Sequence, residues 1–216
     1  MKLQGVLVAA VLLVVVGRMA GQEQPAETEP KPAQDEKLRQ ELLSRVEKDQ
    51  AARKAMMELM RRSKEIDPNH PDIKKLLEID RQNTAWLKEI VEEHGWPGKT
   101  LVGEDGAHSA WLLVQHADHD VVFQKKSLDL LRAAVEEEEA SPQDFAYLTD
   151  RVRVAEKKKQ LYGTQFVQEG GKLVPQPIED EEHVDDRRKE IGLEPLAEYL
   201  KFAEEYYMPQ EDEKGE

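Results

Sequence analysis

The segment from Ala107 to Ala117 places an apolar side chain in nearly every direction around a helix. A helix that is apolar on all sides is buried inside a protein. Gln115 and His116 lie within this segment, and a buried amide or imidazole without a partner costs about 1–3 kcal/mol. The sequence therefore predicts a central helix whose polar end meets polar groups from elsewhere in the chain.

Apolar residues at three- and four-residue steps predict amphipathic helices on both sides of this segment. The first runs from about Asp35 to Ile66, and the second from Pro71 to Gly95, with Asp80 and Asn83 as the cap of a new start inside it. Further helices are expected over about 121–139, 142–155 and 195–207, and a turn-rich loop over 100–106.

A β-hairpin is predicted where two short strands, 160–168 and 173–177, flank a Gly-Gly turn. Pro175 and Pro177 confine the second strand to an edge. Two strands alone are marginally stable, so the hairpin must pack on helices. We therefore expect a mainly α, helix-dominated α+β fold: one compact helical domain over residues 36–207 with a small β-hairpin packed on it.

The N-terminus has the pattern of an export signal, with Lys2 before an apolar run from Gly5 to Gly17. Arg18 and Met19 make a poor cleavage site, so residues 1–21 are a signal peptide or an uncleaved signal anchor. Residues 22–35 read as a disordered linker and 208–216 as a disordered tail. The expected location is extracytoplasmic, periplasmic or secreted, with the inner membrane reached only through an uncleaved anchor.

Charge and cysteine content exclude several classes of function. The chain has 31 Lys and Arg against 45 Asp and Glu, a formal net charge of −14, which argues against nucleic-acid binding. It contains no cysteine, which excludes disulfides, thiolate nucleophiles and Cys-based zinc sites.

Several polar residues lie in segments that are expected to be buried, so they are unlike ordinary solvent-exposed residues. His116 is a candidate base or hydrogen-bond donor, Asp150 its orienting carboxylate or a charge partner, and Arg151 an anion contact. The candidate ligand-binding residues are Gln115, Asp118, Gln160, Tyr162, Thr164 and Gln165. The alternative is a structural network in which these groups satisfy one another.

A metal site is a further candidate, with His116 and His119 as ligands and Asp118, Asp120 and His108 nearby in sequence or helical direction. Two histidines three residues apart, without an H-E-x-x-H motif, are a weak signal. We expect neither a metal nor another cofactor.

The order of several short motifs resembles an uncharacterised bacterial domain-of-unknown-function family, whose small members often follow a signal peptide. The motifs are Gly95-Trp96-Pro97, Gly103, Gln115-His116-Ala117-Asp118, Gln124, Asp150-Arg151-Val152 and Gln160-Leu161-Tyr162-Gly163-Thr164-Gln165, with Val184–Arg188 also similar. The family often has a Gly where this chain has Glu156-Lys157-Lys158-Lys159. The resemblance implies no activity, but it favours a single constellation.

Two functions follow from these residues. The first is a polar small-molecule-binding or hydrolytic site built from the Gln-His-Ala-Asp, Asp-Arg and Tyr-Gly-Thr-Gln motifs. The second is a non-catalytic module that binds an envelope protein through the Met-rich first helix or an acidic face. An open pocket beside the motifs would favour the first, and a sealed network with an exposed apolar patch elsewhere would favour the second.

Overall fold

The computed structural model describes residues 33–63, 66–169 and 172–207. The predicted signal segment, most of the predicted linker, the predicted tail and the two glycines of the hairpin turn lie outside these ranges. Gln34 and Asp35, at the end of the predicted linker, donate backbone hydrogen bonds to Thr100 O and Leu101 O at 3.2 and 2.8 Å.

Helices dominate the fold, as the apolar periodicity predicts. They are α1 (Glu36–Arg62), α2 (Pro71–His94), α3 (Lys99–Gln115), α4 (Val121–Glu136), α5 (Pro142–Ala155), a 3-10 turn (Glu181–His183), α6 (Val184–Glu190) and α7 (Leu196–Tyr207). Asp35 caps α1 by accepting a hydrogen bond from Leu38 N, and Ser141 caps α5 by accepting from Gln143 N and Asp144 N. No helix in the described part of the chain is both long and apolar enough to cross a membrane.

Two predicted boundaries inside the helical part are wrong. Asp80 and Asn83 do not cap a new helix, because α2 continues through both. The loop expected over 100–106 is a helical turn that joins α3 across a kink at Gly103, where φ is 76° and ψ is 168°. The first turn of α3 is stabilised because Thr100 N donates a hydrogen bond to the Glu139 carboxylate at 2.7 Å. This contact joins two separate segments, so the local sequence does not predict it.

The core forms around α3, as expected for a helix that is apolar on all sides. Trp111, Leu113 and Val114 are at most 1% exposed, and α3 packs against α1, α2, α4 and α5. Met56 on α1 is buried in a smaller cluster with Ile73 and Leu76 of α2. Met56 therefore fills part of the core.

The hairpin is present but shorter than predicted. Strand β1 (Phe166–Glu169) pairs antiparallel with β2 (Lys172–Pro175), and Gln160 adds one isolated bridge to Ile178. Phe166 packs on Tyr199 of α7, with 5.2 Å between the ring centroids. The helix-dominated α+β fold is thus confirmed.

Gly103 provides a test of the kink in α3. Its φ and ψ lie in a region almost restricted to glycine, and an added Cβ would lie 3.1 Å from Asp105 Oδ1 and 3.4 Å from Arg39 Cδ. We expect Gly103→Ala to lower the free energy of unfolding by about 1–3 kcal/mol, measured by urea denaturation. The exposed neighbour Glu104→Ala is the control and should change it by less than about 0.5 kcal/mol. Equal stabilities for the two variants would contradict the kink.

Candidate functional site: a buried charged cluster at the end of α3

His116 ends α3 and is held by two residues of α1. Its Nδ1 lies 2.9 Å from Asp49 Oδ2 and 3.0 Å from Arg53 Nε. One nitrogen cannot both donate to the carboxylate and accept from the guanidinium. Arg53 Nε also lies 3.1 and 3.2 Å from the two Asp49 oxygens, so its proton has an acceptor there. We therefore assign the proton to Nδ1, donated to Asp49, which leaves Nε2 as an acceptor.

Burial decides the charge of this group. Removal from water, reinforced by the positive charge of Arg53, lowers the pKa of His116 to about 4 despite the neighbouring Asp49. Burial alone raises the pKa of Asp49, but its contacts with His116 and Arg53 outweigh burial and hold that pKa below the ordinary value. At neutral pH the site thus holds a neutral imidazole beside an Asp49–Arg53 ion pair.

Arg53 connects this pair to α2. Its Nη2 lies 2.6 Å from Asp80 Oδ1. Burial raises the pKa of Asp80 to about 7; Arg53 opposes the rise, and the negative charges of Asp49 and Asp118 add to it. The side chain of Asp80 is 11% exposed, against 2% for Arg53. Asp80 therefore lies at the edge of the charged cluster that it forms with His116, Asp49 and Arg53. Its carboxyl group is half ionised near neutral pH.

Arg151 of α5 joins the cluster from the other side. Its Nε lies 2.8 Å from the Gln115 carbonyl oxygen and 3.2 Å from Asp118 Oδ1, and its Nη1 donates to Gln165 Oε1 at 3.2 Å. The side chain of Asp118 is 34% exposed. Arg151, predicted as an anion contact, is thus engaged by three groups of the protein itself.

Asp150 has a different position from the one predicted. Its oxygens accept hydrogen bonds from the backbone N–H of Leu161 at 2.6 Å, from that of Thr164 at 3.0 Å and from the Thr164 hydroxyl at 3.0 Å. It also accepts from Tyr162 N at 3.1 Å. The carboxylate that contacts His116 is Asp49, and Asp150 holds the loop before the hairpin.

The rest of that loop is held in the same way. Gln160 Nε2 donates to the carbonyl oxygens of Gln165 and Gln176 at 3.0 and 2.7 Å, and its Oε1 accepts from Gln165 N at 2.9 Å. Arg188, fully buried, donates to the Tyr162 carbonyl oxygen at 2.6 Å. Of the predicted ligand-binding residues, Gln160 therefore forms hydrogen bonds with backbone groups of the loop. Gln165 connects this loop to Arg151.

Four buried side-chain atoms of three residues at the end of α3 and on α4 have no hydrogen-bond partner among the residues that the structure describes. They are His116 Nε2, Gln124 Oε1 and both polar atoms of the Gln115 amide. Gln124 Nε2 faces three acceptors, the carbonyl oxygens of Val114 and Gln115 and Asp118 Oδ1, at 3.2 to 3.3 Å. This environment fixes the amide orientation and leaves Oε1 as the open acceptor.

The three histidines that are candidate metal ligands do not form a common site in the structure. His108 contacts Asp144 at 3.1 Å, and His119 is exposed. Within residues 33–63, 66–169 and 172–207, no group of three or more potential ligands is placed to hold a metal ion.

Sequence reasoning missed Asp49 and Arg53 and misread Asp80 as a cap. The available signal was that Asp49 and Arg53, four residues apart, fall on the same helix face as Leu42 and Met56. Charged residues within an apolar stripe are expected to be buried and paired.

The fold is a helix-dominated domain with a charged cluster at the end of its central helix. The chain belongs to a family of unknown function, DUF6624, whose model matches residues 36–210. No curated protein and no solved structure matches the chain.

Asp80 and His116 make opposite contributions to stability between pH 4 and 7. The Asp80 pKa rises from 3.8 to about 7 on folding, so the unfolded chain loses this proton first and the free energy of unfolding falls as pH rises through that range. The His116 pKa falls from 6.5 to about 4. The unfolded chain thus gains that proton first, and stability falls as pH decreases from about 6.5 to 4.

Asp80→Asn separates the two effects. We expect the free energy of unfolding of this variant, relative to the wild type, to rise by about 3 kcal/mol between pH 4 and pH 7, measured by urea denaturation across that range. Asp129→Asn, at a position 73% exposed on α4, removes the same charge and should give a nearly flat difference. A flat difference for Asp80→Asn would show that Asp80 titrates normally.

Proposed function

We propose that this domain is a hydrolase that binds a polar small molecule, with His116 Nε2 as the catalytic base. The observation that carries the proposal is an imidazole that contacts Asp49 at Nδ1 and whose Nε2 is buried without a partner in the described chain. Buried polar atoms usually have a hydrogen-bond partner, and a ligand that reaches Nε2 would supply one.

The chemistry follows from this arrangement. Nε2 accepts a proton from an attacking water and returns it to the leaving group. Asp49 keeps the proton on Nδ1 and stabilises the imidazolium that forms between the two steps. The low pKa of His116 keeps the base unprotonated at neutral pH, and Arg53 holds Asp49 and Asp80 in place.

The residues of the other motifs act as positioning residues in this proposal. Arg151 fixes Asp118 and Gln165. Asp150 and Gln160 hold the loop that carries Tyr162, Thr164 and Gln165. The partly exposed Asp80 and Asp118 mark the side from which a ligand enters.

We further propose that the domain works outside the cytoplasm, in the periplasm, secreted or tethered to the inner membrane. The support for this location is the apolar run from Gly5 to Gly17 after Lys2.

His116→Asn tests the base directly. The asparagine amide nitrogen can replace Nδ1 as the donor to Asp49, but nothing replaces Nε2. The full-length chain is assayed on 4-nitrophenyl esters, phosphates and glycosides and on 4-nitroanilides. We expect turnover of at least one class, reduced at least about 100-fold in His116→Asn, with a melting temperature within about 4 °C of wild type.

His119→Asn is the matched control, because His119 is exposed and adjacent to the same helix end, and its turnover should be unchanged. Turnover that survives His116→Asn would overturn the assignment of the base. The absence of turnover on every class would overturn the proposed hydrolysis.

A further inference from the structure

The unsatisfied groups of the cluster are mostly acceptors. His116 Nε2 and Gln124 Oε1 are buried acceptors without partners in the described residues, and the Gln115 amide offers one donor and one acceptor. The complement of such a set is a ligand that donates hydrogen bonds.

The net charge of the cluster also favours a ligand that donates hydrogen bonds and carries a positive charge. The carboxylates Asp49, Asp80 and Asp118 outnumber the guanidinium groups of Arg53 and Arg151, which are engaged with them at 2.6 to 3.2 Å. With His116 neutral, the cluster carries one uncompensated negative charge when Asp80 is ionised. The two most exposed of these groups are carboxylates, Asp80 and Asp118.

We propose that the ligand of this site carries a protonated amine or amidine group, which binds beside Asp80 and Asp118 and donates to Gln124 Oε1. This inference rests on the proposed function for the site and specifies its substrate class. It also agrees with the engagement of Arg53 and Arg151 by the carboxylates of Asp80 and Asp118.

Binding of a cation is coupled to loss of a proton. Asp80 faces Asp49 and Arg53 from α1, Asp118 from the loop after α3, and Arg151 from α5. A cation beside Asp80 offsets the repulsion from Asp49 and Asp118 and favours the ionised carboxylate. Since burial raises the pKa of Asp80 to about 7, affinity for a cation should increase about tenfold from pH 6 to pH 8.

The test is isothermal titration calorimetry of the full-length chain with n-butylammonium, n-butanol and n-butyrate at pH 6 and pH 8. These probes share one alkyl chain and differ in the charged or polar group. We expect saturable one-to-one binding of n-butylammonium only, about tenfold tighter at pH 8. Equal binding of n-butyrate or n-butanol, or affinity independent of pH, would overturn the inference.

Two variants locate the site. Asp80→Asn retains an oxygen for Arg53 and should weaken n-butylammonium about tenfold and remove the pH dependence. Asp118→Asn should weaken it by a similar factor. Asp129→Asn makes the same charge change on the exposed face of α4 and controls for attraction to a chain of net charge −14. Weakening by Asp129→Asn equal to that by Asp80→Asn would overturn the site.

His116→Asn separates this inference from the proposed hydrolysis, because it leaves every carboxylate in place. If His116→Asn still binds n-butylammonium but has lost the turnover of the wild type, both proposals are supported. If the wild type shows turnover but does not bind n-butylammonium, the substrate class alone is overturned. If the wild type binds n-butylammonium but shows no turnover, hydrolysis is overturned and the cation site is supported.

Discussion

The contact of His116 with Asp49 and Arg53 is the interaction on which the site depends. It gives a polar partner to the buried His116, which follows the largely apolar and buried second half of the central helix α3. Because both partners lie on α1, and Arg53 also reaches Asp80 on α2, one set of charges joins three helices. A buried ion pair contributes little net stability when complete, but losing one partner leaves an uncompensated buried charge. The cluster therefore fixes the mutual position of these helices.

A second set of contacts orders the segment before the hairpin. Asp150 binds its amides, while Arg187 and Arg188 donate to the carbonyl oxygens of Leu161 and Tyr162 at 2.9 and 2.6 Å. This segment has little regular secondary structure, so side chains satisfy backbone groups that strands would otherwise pair. Arg151 lies between the two sets, since it contacts both Asp118 and Gln165. Arg151 thus connects the charged cluster to the segment that precedes the hairpin.

The helices, the hairpin and the central role of α3 could be predicted from the sequence, because apolar periodicity and caps such as Ser141 are local signals. The sequence also predicts that His116 needs a polar partner, but it does not indicate which residue that partner is. Asp49 is 67 positions away along the chain, and only the packing of α1 on α3 brings it near. The sequence predicts Asp150 as the carboxylate beside His116, whereas in the structure this carboxylate accepts hydrogen bonds from backbone N–H groups of Leu161 and Thr164. The kink at Gly103 could not be predicted, because a segment from Thr100 to Gly106 that contains two glycines also fits a loop.

The state of the His116 imidazole is the central claim, since the base and the charge balance of the cluster both follow from it. Long-range 15N–1H NMR spectra of the protein with 15N-labelled histidine report which ring nitrogen carries the proton as pH is varied. The structure predicts a neutral ring at pH 7, protonated at Nδ1 and bare at Nε2, that gains a second proton only near pH 4. A ring that is doubly protonated at pH 7, or that carries its single proton on Nε2, would contradict the account.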